Sequence, residues 1–102
     1  MRMGRYILDG KMPVRCDDLH MWAIWFDTAN RHVALTQINE DVKVSTVFLG
    51  NDHNWDDGPP ILFETMIFGG PHDEFQERYC TWAEAEAGHA RAVALARSGA
   101  LK

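Results

Sequence analysis

"STVFLGNDHNWDDGPPILFETMIFGG", from Ser45 to Gly70, decides the fold. Two strongly apolar, strand-like runs flank a loop that holds Asp52, His53, Asn54, Trp55, Asp56 and Asp57. The first run is part of "VKVSTVFLG", Val42 to Gly50. Pro59 and Pro60 introduce the second, Ile61 to Phe68, and Gly69-Gly70-Pro71 ends it. Successive side chains on a strand point to opposite faces. Val42, Val44, Thr46 and Phe48 therefore point one way, and Lys43, Ser45, Val47 and Leu49 the other. Likewise Ile61, Phe63, Thr65 and Ile67 oppose Leu62, Glu64, Met66 and Phe68. A sheet covered on one face only should alternate apolar with polar. These strands do not. Either the strand ends and the N-terminal segment wrap the second face, or a partner covers it, and a second copy of the chain is the partner expected.

Working outward, "HVALTQI" (His32 to Ile38) reads as a strand and "NED" (Asn39 to Asp41) as the turn that pairs it with Val42–Gly50. "QERYCT" offers a short fourth strand. Upstream, "RYILDGKMPV" gives a short strand, Tyr6 to Leu8, broken by Asp9-Gly10 and by Pro13. In "CDDLHMWAIWFDTANRH", Asp17 can cap a helix, with Asp18 in its first turn near the positive end of the dipole. Leu19, Trp22, Phe26 and Ala29 form one helical stripe, which Met21, Ile24 and Trp25 widen. Such a helix should touch more than one surface, and Asn30 should stop it.

Thr81 with Glu84 three residues on makes a capping box. From Trp82 to Arg97 the chain is Ala-rich and helix-favouring, and Gly99 can close the helix. Trp82, Ala85, His89, Ala92, Val93 and Ala96 share one face. The order is β-α-β-β-β-(β)-α, a single α+β domain over residues 1–102. It should be an antiparallel sheet of three to four strands packed against two helices on one side.

A chain of 102 residues, 46% apolar and 25% charged, suits one globular domain with one core. Ten basic against fifteen acidic residues give a net charge of −5, which argues against general nucleic-acid binding, because that needs a basic face. "MRMGRYILDGKMP" lacks the apolar run of a signal peptide, and no segment is long enough to span a membrane. Cys16 and Cys80 form no CxxC pair, so reduced thiols in a cytoplasmic protein are expected.

Several groups have the chemistry of a site. Asp52 could orient His53 as a base, or both could bind a metal; alternatively Asp52 and Asn54 make turn bonds and His53 is solvated. Glu64, inside an apolar strand, must be exposed or paired, with Arg78, Arg91 or a histidine as candidates. His89, on the apolar face of the last helix directly after Gly88, is a hydrogen-bonded core residue or a ligand. Asp52, His53, Glu64 and His89 have the types of a metal site, although no local spacing such as HExxH supports one. His72 and Asp73 form a second loop pair. Trp55 stands in the acidic loop beside Asp56 and Asp57, either folded back as a lid on the core or exposed as a partner or stacking anchor. No nucleophile elbow, P-loop or dinucleotide fingerprint is present, and Cys80 and Ser45 lack a catalytic context.

"YILDG", "WAIWFDTANRHVALTQI", "VSTVFLGNDHNW", "PPILFETMIFGG" and "YCTWAEAEAGHARAV" together resemble a family of small bacteriophage and prophage proteins, over nearly the whole chain. The resemblance supplies a context rather than a mechanism. Small acidic proteins in that context are often host-takeover or anti-defence factors, anti-CRISPR proteins among them, that work by binding. The leading expectation is therefore a cytoplasmic, homodimeric accessory protein that binds a host defence protein or a small ligand. The other is a small hydrolase or metal-dependent enzyme with His53 as base, Asp52 as its orienter, and Glu64 and His89 as acid or ligand.

Overall fold

In the computed structural model, which describes residues 4–100 and side chains through Ser98, four strands form one antiparallel sheet. The hairpin β1 (Tyr6–Asp9) and β2 (Met12–Arg15) comes first, then α1 (Leu19–Thr28). β3 (His32–Gln37), β4 (Lys43–Phe48), β5 (Phe63–Phe68) and β6 (Gln76–Tyr79) follow, and α2 (Trp82–Ala100) comes after them. The four-stranded sheet runs β3-β4-β5-β6, each strand antiparallel to its neighbours in sequence. The fold is α+β, with a sheet packed on helices.

β4 and β5 are the central strands and alternate as the sequence requires. Val44, Thr46 and Phe48 are buried, opposite Ile67, Thr65 and Phe63 in register. α2 lies across this face and packs on all four strands. Its buried residues Ala85, His89, Ala92 and Ala96 recur at helical spacing. Small side chains let the helix sit close, and Gly88 sets the limit of approach. A Cβ there would stand 2.0 Å from the Tyr79 hydroxyl.

The capping box forms as expected. The Glu84 amide donates to Thr81 Oγ1 at 3.1 Å, while the Glu84 carboxylate accepts from the amides of Thr81 and Cys80 at 3.0 and 3.1 Å. The helix then continues past Gly99 to Ala100, because a glycine ends a helix only where the backbone turns left-handed.

Three local expectations need correction. The cap of α1 is Asp18, whose carboxylate accepts from the Met21 amide at 3.1 Å; Asp17 instead pairs with Arg15 at 2.8 Å. Pro13 does not break the N-terminal strand pattern. It sits in β2, paired with Leu8 in a two-stranded ribbon where only one edge needs amide donors. Leu62 precedes β5 and is buried with Phe48 and Phe63, rather than standing on the Glu64 face.

The N-terminal lobe is held differently. The hairpin is a separate two-stranded sheet, joined to the rest by an isolated bridge between Arg5 and Asn51 and by the Tyr6 amide, which donates to the Gly50 carbonyl at 2.7 Å. Trp22 Nε1 donates to both the Tyr6 and Gly50 carbonyls, at 3.1 and 3.2 Å. Trp22 stacks on Phe26, and Trp25 meets Phe48 edge-on at 5.7 Å. Gly50 has φ +81, and any Cβ there would stand 2.8 Å from the Phe26 ring, so two separate constraints favour glycine at this joint. α1 thus hangs on one aromatic edge at the end of the sheet and buries none of its residues. The radius of gyration, 14.7 Å, exceeds the roughly 13 Å of a typical domain of this length.

The opposite face of the four-stranded sheet is open among the described residues. Leu35 is 57% exposed and Phe68 40%, beside half-buried Val47 and Met66. No described segment of the N-terminal lobe wraps it.

Candidate functional site

The Asp52–Asp57 loop is built from side chains that satisfy its own backbone. Asp52 Oδ1 accepts from the Asn54 amide at 2.8 Å and from the Ile61 amide at 3.0 Å. Asn54 Oδ1 accepts from the Asp56 amide, and its Nδ2 donates to the Pro59 carbonyl. Consecutive Asx bonds of this kind fix a loop without regular structure. His53 Nδ1 lies 2.8 Å from the Asn51 carbonyl, which can only accept, so Nδ1 carries the proton and Nε2 is the basic nitrogen. Asp52 and His53 do not bond each other. The loop has the turn-bond arrangement.

Asp52, Trp55, Asp56 and Asp57 nevertheless meet. With Arg15, Tyr6 and Pro60 they line a polar hollow of about 400 Å3 at the joint between hairpin and sheet. Trp55 is 63% exposed, so it is a surface tryptophan and not a lid. Arg15 has its pKa raised by the hydrogen bond and charge of Asp17. It reaches this hollow only because β2 exists, and the sequence gives no local sign of that.

Glu64 stands elsewhere, on the open sheet face. Arg78, directly opposite in register on β6, donates from Nε to Glu64 Oε2 at 2.9 Å, and Gln76 donates to the same oxygen. The Glu64 side chain is 12% exposed, so this cross-strand pair is partly desolvated. Of the partners considered for Glu64, Arg78 is the one present.

His89 lies on the other side of the sheet, in the core. Its Nε2 is 2.8 Å from Thr36 Oγ1 and its Nδ1 2.7 Å from Thr46 Oγ1, which in turn bonds Thr65 Oγ1. One imidazole on α2 therefore ties together β3, β4 and β5. Burial lowers its pKa, because a charged imidazole loses hydration there. Both nitrogens are occupied by hydroxyls, the arrangement of a satisfied core histidine.

His53, Glu64 and His89 thus sit at a loop, on the open face and in the core. The structure does not bring them together. Among the described residues no group of three or more His, Cys, Asp or Glu side chains is placed to hold a metal ion. His72 and Asp73 serve the turn after β5: Asp73 Oδ1 accepts from the Gly69 amide at 2.8 Å, and the His72 carbonyl accepts from the Phe75 amide. Cys16 and Cys80 are free. Burial, with Glu84 and Asp52 nearby, raises the Cys80 pKa and keeps the thiol protonated. No helix of the described residues is long and apolar enough to cross a membrane.

One cluster at the sheet edge, partly exposed, escaped sequence reading. Glu77 accepts from Tyr79 at 2.8 Å and from Arg91 at 2.9 Å, and these bonds hold its pKa below the usual carboxylate range. It anchors α2 to the edge strand β6. Comparison with protein-family models, with curated proteins and with solved structures returned no match.

Proposed function

We propose that the chain is an accessory protein of the phage type, of the host-takeover or anti-defence kind, that acts by binding a host protein. The observation that carries this reading is the outer surface of α1. Met21 is 64% exposed and Ile24 54%, one helical turn apart, and Leu19 is exposed as well. Exposed apolar residues scattered singly need no explanation, but a helix that leaves such a group uncovered offers a docking face. Acidic residues close to it, Asp17, Asp18 and Asp27, would favour a basic rim on the partner.

The test is a pull-down from bacterial lysate with wild type and with Met21→Glu/Ile24→Glu. Both positions are exposed, so the variant should melt as the wild type does. One stoichiometric protein kept by wild type and lost by the variant supports the reading. A protein kept equally by both, or none kept by wild type, overturns it.

Leu35 and Phe68 favour a second contact, between two copies through the open sheet face. Light scattering should then give about twice 11.6 kDa, and Leu35→Arg should return the protein to monomers. A wild-type monomer at high concentration would remove this part and leave the α1 face untouched.

A further inference from the structure

Between the β1–β2 hairpin and the start of α2 lies a second cavity, of about 410 Å3, within the roughly 300–1,000 Å3 range of small-molecule sites. We infer that it binds a small amphipathic anion, an apolar body carrying one carboxylate or comparable group.

Its walls are Met12 and Pro13 from β2, Pro60 and Leu62 from the segment before β5, and Trp82 from the first turn of α2. These are large apolar surfaces drawn from three separate parts of the chain. The charge on the lining is of one sign. Lys11 is the single charged residue there among the described residues, and its ammonium lies 5.8 Å from the centre of the Trp82 ring. It takes part in none of the three ion pairs among the described residues. In a chain of net charge −5, an uncompensated cation beside an apolar cleft selects for an anion there.

A second observation is independent of Lys11. Trp82 Nε1 is buried and has no hydrogen-bond partner among the described residues. A buried indole N–H normally finds an acceptor, and a bound acceptor group would supply one where the Trp82 ring turns its nitrogen toward the cavity. The amides of Cys80 and Thr81 add nothing to this charge, because the Glu84 carboxylate already accepts from both.

The neighbouring hollow makes the contrast. It is of similar size but carries Asp52, Asp56 and Asp57 against Arg15, and so disfavours anions. Pro60 and Tyr6 line both, so the two stand side by side with opposite preferences.

The probe is decanoate, followed by the indole N–H signals of the four tryptophans in 15N-labelled protein. The Trp82 signal is assigned by its loss in Trp82→Phe. Decanoate should move that signal saturably, with smaller effects on Trp22, Trp25 and Trp55. Lys11→Met should weaken binding at least about tenfold while leaving the melting temperature unchanged, since Lys11 is exposed. Decanol, which keeps the chain and loses the charge, should bind wild type no better than decanoate binds Lys11→Met. No saturable shift at millimolar decanoate, equal shifts at all four indoles, or full affinity in Lys11→Met would each overturn the inference. None of these results bears on docking through α1.

Discussion

α1 and α2 solve opposite problems with similar amphipathic patterns. α1, "LHMWAIWFDT", is the more apolar by composition, yet it buries none of its ten residues. α2, rich in alanine and charge, places Ala85, His89, Ala92 and Ala96 against four strands and closes the core. Apolar content alone does not decide burial; what matters is whether a complementary surface exists within the chain. α2 finds one in the Val44, Thr46, Phe48, Phe63, Thr65 and Ile67 face. α1 finds only the edge formed by Tyr6, Gly50 and Phe48, and keeps a surplus that folding does not use.

The sharpest way to break this contrast is to remove one large side chain from each region. Phe63→Ala, in the fully buried cluster under α2, should destabilise by about 3–5 kcal/mol. Ile24→Ala, on the outer side of α1, should change stability by about 0.5 kcal/mol or less. Urea unfolding of both variants checks this, and equal losses would mean that α1 belongs to the core.

Gly88→Ala comes next, because its methyl must displace the Tyr79 ring that Glu77 holds from the other side. A loss of about 1–3 kcal/mol is expected, and Tyr79→Phe should not restore it, since the ring atom Cζ also stands within 2.2 Å.

The third test uses pH. The folded His89 pKa lies below the ordinary value near 6.5, so the unfolded chain binds this proton more readily. Its contribution is fully present above about pH 6.5 and is lost as pH falls through that value toward the lower folded one. Glu77, with a lowered carboxylate pKa, loses its contribution in a separate and more acidic window. Urea midpoints from about pH 8 to about pH 5 should therefore fall in wild type and fall less in His89→Gln. The same slope in both would place the proton uptake on another group.

Thr81→Ala should have a smaller effect than either core change, about 1 kcal/mol, by leaving the Glu84 amide without its hydroxyl acceptor. An unchanged melting temperature would mean that the Glu84 carboxylate alone sustains the first turn.

Much of the core was legible because it rests on short-range patterns. The alternation in Val42–Gly50 and Ile61–Phe68, the Thr81/Glu84 box and the Ala85-His89-Ala92-Ala96 stripe each declare themselves within a few residues. Glu64 was half-legible: a carboxylate in an apolar strand announces a partner, but only register picks Arg78. The boundaries of α1 were read to within one residue at each end, Asp18 capping it in place of Asp17 and Ala29 in place of Asn30, while its packing was not, since a stripe says which side is apolar and not what lies against it. The hairpin was missed because Pro13 looks like a breaker until its strand is known to be a ribbon edge. Both cavities were invisible for the same reason. Lys11, Leu62 and Trp82 are separated by long stretches of chain and have no local spacing to detect.

The order of synthesis adds one consequence to the way α2 closes the core. All four strands of the sheet leave the ribosome before α2 does, and His89 must reach back 53 positions to Thr36. Until α2 docks, the face of the sheet that carries Phe48, Phe63 and Ile67 lacks its cover and is open to other chains. The pair of facing threonines, Thr46 and Thr65, lies in the middle of that exposed strip. Two hydroxyls there make the waiting surface less adhesive than an unbroken run of valine and phenylalanine, and His89 recruits them once it arrives.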